Sequence, residues 1–357
     1  MNKMQFRPNQ IISTVQHVLH KYFILVIISS YIIAAIYPSL GVHIRNIELG
    51  SIDAWRTRIT FSLPPAMLAF LLFNAGLGVR TKELAGLLRN PSLLLVGALG
   101  NLFVPLAFVV GVSITMKLWH NSDEVQQILT GLALVASMPI AGASTAWAQN
   151  ANGNLAVSLG LILLTTLCSP VLTPIVLDSV GFVTTGDYSE DLHELAANGA
   201  GGFLAVWVIL PSLLSMLTHW ILGEKRTALI SPYLKLSNFG VLALLNYSNA
   251  SISLPGVLSQ PDPDFVLVML IVVILLCFVM FGAGYLVSRA FGADRAGTVS
   301  LMFGLGMNNN GAGLVLASMT LSDHPGVMLP IIFYNLIQHF VASLIDKSLS
   351  RGAHGCD

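Results

Sequence analysis

Apolar runs long enough to cross a lipid bilayer recur through the whole chain. A helix needs about 20 apolar residues to cross the hydrocarbon core of a membrane, and ten runs of that order are separated here by charged or Gly- and Pro-rich breaks. Of the 357 residues, 55% are hydrophobic and only 10% are charged. We therefore expect an all-α membrane protein with ten transmembrane helices. The predicted spans cover 22–40, 60–79, 92–116, 127–152, 154–177, 200–222, 233–253, 265–291, 296–321 and 326–348.

The basic residues are distributed unevenly between alternate loops. One side holds the N-terminus, the loops 80–91, 223–235 and 289–295, and the C-terminus, and these carry most of the Lys and Arg residues. The other side carries only Arg45, Arg56, Arg58 and Lys117. Because basic loops stay in the cytoplasm, we predict a multi-pass protein of the cell (plasma or inner) membrane with both termini cytoplasmic. The 17 Lys and Arg residues balance 17 Asp and Glu residues, which gives no sign of a nucleic-acid partner.

The ten spans divide into two sets of five. The segment 178–199 contains five acidic residues and no Lys or Arg, and we predict that it is an extracytoplasmic linker. The predicted repeats are then 1–177 and 200–357. Since five is an odd number, the second repeat enters the membrane in the opposite sense to the first. The sequence therefore predicts a 5+5 inverted repeat.

The fourth span of each repeat contains residues that interrupt a helix. Span four includes Ala136-Ser137-Met138-Pro139-Ile140-Ala141-Gly142-Ala143-Ser144-Thr145, and span nine includes Gly304-Leu305-Gly306-Met307-Asn308-Asn309-Asn310-Gly311-Ala312-Gly313. Proline removes a helical hydrogen bond and glycine weakens the helix. Polar groups such as three consecutive asparagines are costly in lipid unless they face protein or water. We predict discontinuous helices, broken at Pro139, Gly142, Gly304, Gly306 and Gly311.

Paired interrupted helices indicate the binding site of a transporter, near the middle of the membrane. We therefore expect Asn308, Asn309 and Asn310 to line a substrate site. Close helix packing is the alternative role for small residues, and a hydroxyl such as that of Ser144 often bonds to a helix carbonyl instead. His339 lies in span ten, one helical turn after Asn335, and is either a proton carrier or a neutral, hydrogen-bonded histidine.

The sequence contains no motif for catalysis or for ATP hydrolysis. It has no grouping of Ser, His and Asp, no HExxH motif, no P-loop and no pair of intramembrane aspartates. The three cysteines have neither CxxC spacing nor a disulfide pattern. We therefore expect no enzyme activity, no cofactor other than a coupling ion, and no obligate protein partner. The expected partners are a small substrate and the lipid bilayer.

At these residues the chain resembles the bile acid:sodium symporter family. The resemblance is carried by four segments in addition to the ten spans. They are Phe73-Asn74-Ala75-Gly76-Leu77-Gly78-Val79, the Ser144-Thr145 break, Gly153-Asn154-Leu155-Ala156-Val157-Ser158, and Gly306-Met307-Asn308-Asn309-Asn310-Gly311.

The resemblance implies a panel domain of spans 1, 2, 6 and 7 and a core domain of spans 3–5 and 8–10. It also implies that helices four and nine cross at their breaks, and that an organic anion is taken up with Na⁺. The implied Na⁺ ligands are Ser144, Thr145, Ser158 and Asn308. Thr145, Gln338 and His339 join the three asparagines as the implied substrate-binding residues.

One departure from the family pattern concerns the cation site. The family has a sodium-binding glutamate two residues before its Gly-Met-Gln-Asn motif, and Gly304 occupies that position here. Carbonyl and hydroxyl oxygens can still bind Na⁺, but the site lacks a full negative charge. We expect a secondary transporter that imports a small organic anion, by sodium symport with alternating access. The alternatives are a proton-coupled or uncoupled carrier that uses His339, and a non-transporting receptor or channel on the same scaffold.

Overall fold

The computed structural model describes residues 22–54, 57–77 and 91–353, and helices account for most of them. We number the helices and strands in chain order. The helices are α1 Phe23–Ile36, α2 Pro38–Arg45, α3 Leu63–Leu77, α4 Pro91–Thr115, α5 Ser122–Ser137, α6 Ala143–Asn150, α7 Leu155–Gly181, α8 Asp187–Glu194, α9 Ala200–Leu204, α10 Leu210–Ala250, α11 Leu254–Ser259, α12 Pro263–Ala290, α13 Arg295–Gly306, α14 Asn310–Thr320 and α15 Met328–Ala353. Strands β1 Glu48–Ala54 and β2 Thr57–Ser62 form one antiparallel hairpin.

The chain divides into two compact units. Unit 1 comprises the described residues within Met1–Val79 and Leu210–Pro255, and unit 2 those within Arg80–Ile209 and Gly256–Asp357. Unit 1 therefore contains α1–α3, the hairpin and α10, whereas unit 2 contains α4–α9 and α12–α15. The predicted boundaries of the repeats and of the panel and core domains remain predictions.

Unit 1 contains a sharp bend between α1 and α2. The two helices meet at 99°, because Tyr37 has a non-helical backbone and Pro38 lacks the N–H that would continue the helix. The Tyr247 hydroxyl fixes the bend, since it donates to the carbonyl of Tyr37 (2.6 Å) and accepts from the N–H of Gly41 (3.0 Å).

Unit 2 contains both pairs of interrupted helices. α5 is separated from α6, and α13 from α14, by a few residues of extended chain. Both pairs pack among long apolar helices, with α4 and α7 beside the first pair and α12 and α15 beside the second.

Five helical segments in the described part of the chain are long and apolar enough to cross a membrane, or six if the bent pair α1–α2 counts as one span. The chain is therefore an integral membrane protein. The five segments are Pro91–Leu118, Leu155–Gly181, Asp187–Ala250, Pro263–Ala290 and Pro325–Leu349.

The count of ten helices is not established by these segments. The interrupted helices consist of pieces of 8 to 16 residues, each too short to count as a span. The predicted span 200–222 and all but the last three residues of 233–253 fall within the single segment Asp187–Ala250, which is kinked at Gly223 (φ 74°).

One sequence prediction needs correction. The fold is not purely helical, because β1 Glu48–Ala54 and β2 Thr57–Ser62 pair with each other. Arg58-Ile59-Thr60-Phe61-Ser62 alternates polar and apolar residues, the pattern of a strand, but a search for long apolar runs assigned its end to span two. The predicted linker 178–199 contains α8 and a π-helical turn, Leu195–Gly199, which pack on α7, and its place as an extracytoplasmic linker remains a prediction.

The basic segments used to predict orientation lie partly outside the described residues. Lys3, Arg7 and Lys21 belong to the first 21 residues, and almost all of the 80–91 loop is likewise outside. The motif that starts at Phe73 is described only as far as Leu77. The cytoplasmic location of both termini therefore remains a prediction.

Candidate functional site

The two helix breaks lie against each other and are joined by backbone hydrogen bonds. α5 ends at Ser137 and α6 begins at Ala143, whereas α13 ends at Gly306 and α14 begins at Asn310. Between these ends, Ile140 and Asn308 pair as an isolated antiparallel bridge. The N–H of Ala141 donates to the carbonyl of Met307, and the N–H of Asn309 donates to the carbonyl of Pro139, both at 2.8 Å. Each break therefore satisfies backbone groups of the other.

The local sequence explains where the helices stop. Met138 precedes Pro139, and the residue before a proline is driven into an extended conformation. Met138 has φ −78° and ψ 145°, and Met307, which follows Gly306, has φ −130° and ψ 108°. In each break the next helix begins two or three residues after the bridge residue, α6 at Ala143 and α14 at Asn310.

Two helix N-termini and two helix C-termini meet at this crossing. N-termini carry partial positive charge and C-termini partial negative charge. The side chain of Asn309 caps α14, since its Oδ1 accepts from the N–H of Ala312 (3.3 Å). No side-chain cap is present at α6, which begins next to the exposed residues Gly142 and Ala143. The start of α6 is therefore exposed and has no side-chain cap.

A buried amide network supports the bridge from α15. Oε1 of Gln338 accepts from the N–H of Asn308 (3.1 Å) and from Nδ2 of Asn310 (3.0 Å). Nδ2 of Asn308 donates to the carbonyl of Val135 (2.8 Å), and Nε2 of Gln338 donates to Oδ1 of Asn335 (3.3 Å). The amide donors of Asn308 and Asn310 are thus used inside the protein.

The three predicted substrate-binding asparagines consequently occupy different environments. Asn308 and Asn310 are both 1% exposed, whereas Asn309 is half-buried and caps its own helix. Of the other predicted substrate-binding residues, Gln338 and His339 are buried on α15 and Thr145 is half-buried on α6. Gln338 is the one that contacts the asparagines directly.

Several buried oxygens around the crossing have no hydrogen-bond partner in the described part of the chain. These atoms are Oγ of Ser144, Oγ1 of Thr145, Oγ of Ser158, and Oδ1 of Asn308 and Asn310. A buried polar atom without a partner is uncommon and costs free energy unless water or an ion satisfies it.

The positions of these residues connect the oxygens to the bridge. The N–H of Ser144 donates to the carbonyl of Ala141, and the N–H of Ala141 donates to the carbonyl of Met307. Ser158 lies one helical turn before Leu161 on α7, and a Cβ at Gly304 would lie 3.1 Å from a methyl group of Leu161. All four predicted Na⁺ ligands thus offer an unpartnered oxygen, the ligand type that Na⁺ requires. None of the four residues has a carboxylate, so a site made of their side chains alone would carry no full negative charge.

The predicted helix-breaking residues do not all lie in the breaks. Pro139 and Gly142 lie in the first break, but Gly304 and Gly306 belong to α13, and Gly311 to α14. A small residue is needed at Gly304 and Gly306 because of packing, since a Cβ at Gly306 would overlap the ring of Phe281. Their assignment as break residues is therefore corrected.

Sequence analysis did not identify the residues that hold the first break in place. Oγ1 of Thr165 accepts from the N–H of Ile140 (3.2 Å), and the hydroxyl of Thr173 donates to the carbonyl of Ser137. Nδ2 of Asn101 donates to the carbonyl of Met138 (3.4 Å). Thr165, Ser169 and Thr173 follow one another at intervals of four residues, so the polar face of α7 was a signal in the sequence.

The sequence is similar to one family profile and to one bacterial protein. The profile of a family described as Sodium Bile acid symporter family matches residues 65–259, more than half of the chain. An uncharacterized protein, YbaS of Bacillus subtilis (strain 168), is 28% identical over 292 residues, which cover 80% of this chain and 88% of that protein. The profile match includes the first break with Ser144 and Ser158, whereas Asn308 lies beyond it.

Proposed function

The chain belongs to the sodium bile acid symporter family, and on this premise we propose that it is a secondary transporter that imports a small organic anion by sodium symport. Members of this family are transporters and not enzymes. The proposal adds a substrate class, a coupling ion and a direction of transport to that membership. It also retains ten transmembrane helices in a 5+5 inverted repeat, with alternating access to the crossing.

One observation carries the proposal of sodium coupling. Ser144, Ser158 and Asn308 come from three different helical regions, and each has a buried oxygen that nothing in the described ranges satisfies. A hard monovalent cation would be held by such oxygens. The backbone carbonyls at the ends of α5 and α13 would add partial negative charge, which offsets in part the missing carboxylate.

The negative charge of the anion would be balanced by the partial positive charge of helix N-termini rather than by a basic side chain. The described helices α5, α6 and α14 contain no Lys or Arg, and the one Arg of α13 is its first residue, Arg295, 13 positions before Asn308. The start of α6, which has no side-chain cap, would add the partial positive charge of a helix N-terminus near Thr145. In the structure the side-chain donors of Asn308 and Asn310 are engaged, so their proposed role is to fix the backbone around the substrate.

A second candidate function uses protons in place of Na⁺. It is favoured by the burial of His339, which lies next to Gln338 in the sequence of α15. A buried imidazole in a membrane helix can carry a proton. A non-transporting receptor or channel would use the same crossing without alternating access.

Uptake into proteoliposomes separates these functions. The full chain is reconstituted, and labelled small carboxylates and sulfonates are offered under an inward Na⁺ gradient, an inward K⁺ gradient, or an inward proton gradient in K⁺. We expect at least one anion to accumulate only with the Na⁺ gradient, and accumulation to fall at least tenfold in Ser144→Ala. Ser137→Ala is the matched control, because its hydroxyl already donates to the carbonyl of Leu134.

Each other outcome contradicts sodium symport. Accumulation driven by protons alone and lost in His339→Gln would establish the second candidate. Saturable binding of an anion without accumulation under any gradient would indicate a receptor. Conduction that follows the gradient without saturation would indicate a channel.

A further inference from the structure

One end of unit 2 is strongly acidic, and each of its three histidines is paired with a carboxylate. This acidic end comprises 117–127, 178–199, 259–264 and 321–327, which include the starts of α5 and α12 and the residues that follow α7 and α14. Lys117 is its only Lys or Arg. Its carboxylates are Asp123, Glu124, Asp178, Asp187, Glu190, Asp191, Glu194, Asp262, Asp264 and Asp323. The histidine pairs are His120 with Asp264 (3.4 Å), His193 with Asp178 (2.7 Å) and His324 with Asp191 (3.5 Å).

The His324 pair connects the two interrupted helices at this end. His324 lies between α14 and α15, and its Nε2 contacts Oδ2 of Asp191 on α8. Its ring also packs on the ring of Tyr188, with centroids 4.3 Å apart. The Tyr188 hydroxyl donates to Oδ1 of Asp123 in the first turn of α5 (2.8 Å). α8 therefore joins the end of α14 to the start of α5.

The charges around the His324–Asp191 pair are negative on every neighbouring element that has one. Asp187 and Glu194 on α8 and Asp323 beside His324 act on Asp191, and Asp123 of α5 is bonded to Tyr188, on which the His324 ring packs. α14, the turn Leu195–Gly199 and the first turn of α15 have no ionisable side chain. With a neutral imidazole these carboxylates repel one another, and a protonated imidazole offsets part of that repulsion.

We propose that the His324–Asp191 pair is a pH-responsive clamp on the ends of α5 and α14. An imidazole is charged only when it is protonated, and a carboxylate only when it is ionised, so the pair is charged in a mildly acidic window. Burial raises the pKa of Asp191 above its ordinary value, which limits this window on the acid side. Where both groups are charged the clamp is closed; as pH rises and the imidazole loses its proton, the pair loses its charge and the linker opens more often. This inference concerns a region away from the helix crossing and does not depend on the transported ion or substrate.

Hydrogen exchange of the full chain in lipid nanodiscs tests the clamp. The N–H of His324 donates to the carbonyl of Leu321, and the N–H of Val327 donates to the carbonyl of His324, both at 3.1 Å. These two amides report opening of the linker. Protection factors, normalised for the intrinsic effect of pH on exchange, are measured at pH 5.5 and pH 8.0. We expect protection to be about fivefold greater at pH 5.5, which corresponds to roughly 1 kcal/mol for a part-exposed ion pair.

Three variants test whether the His324–Asp191 pair causes the difference in protection between pH 5.5 and pH 8.0. His324→Gln and Asp191→Asn each remove one charge, so each is expected to abolish the pH dependence at both amides. His120→Gln is the matched control and is expected to retain it, because the His120–Asp264 pair is well exposed, with side chains 64% and 56% accessible. Unchanged protection of α7 in every variant shows that unit 2 remains folded.

The clamp is ruled out by either of two results. The first is equal normalised protection of the wild-type linker at the two pH values. The second is a pH dependence that persists in Asp191→Asn, which keeps the imidazole but removes its charged partner.

Discussion

At the scale of single residues, the hydroxyl groups of α7 satisfy the backbone that the first break leaves open. Thr165 accepts from the N–H of Ile140 and donates to the carbonyl of Leu161 (2.8 Å). Thr173 donates to the carbonyl of Ser137, at the end of α5. Backbone groups buried in an apolar environment need such partners. The break is therefore stabilised by residues outside the broken helix.

Replacement of Thr165 by valine tests this role. The change preserves the shape of the side chain and leaves the buried N–H of Ile140 without its acceptor, which we expect to cost about 1–3 kcal/mol. The apparent unfolding midpoint in detergent is the measurement, and we expect it to fall by several degrees. Thr166→Val, on the neighbouring and more exposed face of α7, is the control and is expected to change it little. Equal effects of the two substitutions would refute the role.

Gly306 and Gly311 provide a second matched pair on the two sides of the second break. A Cβ at Gly306 would overlap the Phe281 ring, whereas at Gly311 the nearest atom, Oδ1 of Asn309, is at an ordinary 3.7 Å. We expect Gly306→Ala to destabilise the protein by about 1–3 kcal/mol. Gly311→Ala should be neutral or stabilising by up to about 1 kcal/mol, because alanine favours helix.

Thermal unfolding of both alanine variants checks this pair of predictions. Combining Gly306→Ala with Phe281→Leu should restore part of the lost stability. A stable Gly306→Ala protein would show that the ring moves aside without cost.

At the scale of helices and strands, the sequence predicted which segments are interrupted more accurately than where each interruption lies. Pro139 and the run of asparagines identified the two segments, because both residue types oppose a continuous apolar helix. Gly306 was misleading as a break residue, since glycine serves helix packing as well as helix breaking. The strands 48–54 and 57–62 were missed because they are short and partly polar. The contacts of Asn101, Thr165 and Thr173 depend on three-dimensional packing, which one sequence does not specify.

Asn309 allows the cap of α14 to be tested separately from substrate binding. Asn309→Ala removes the side-chain cap and is expected to cost about 1 kcal/mol, whereas Asn309→Ser preserves an N-cap oxygen and is expected to cost much less. The apparent unfolding midpoints of the two variants are compared. Equal midpoints would show that the cap contributes nothing. A stable Asn309→Ser protein with reduced uptake would show that the side-chain amide of Asn309 takes part in substrate binding.

At the scale of the whole molecule, the chain is an integral membrane protein whose two interrupted helix pairs both lie in unit 2. The broken helices bond to each other at Ile140 and Asn308, so the backbone of each break is held in part by the other. Asn308 is part of this junction and Ser144 is bonded to Ala141 beside it. Like Ser158 on α7, each has a side-chain oxygen without a partner in the described ranges. A cation bound there would hold parts of both broken helices, which is how ion binding could be coupled to movement of the substrate site.

The most direct test of this account is thermal unfolding of the detergent-purified protein in NaCl and in KCl at equal ionic strength. An ion at about ten times its dissociation constant stabilises the folded state by roughly 1.4 kcal/mol. We predict a midpoint that rises with Na⁺ and not with K⁺, a rise that is lost in Ser144→Ala and Ser158→Ala and retained in Ser137→Ala. Identical midpoints in the two salts over a wide concentration range would contradict sodium binding at the crossing.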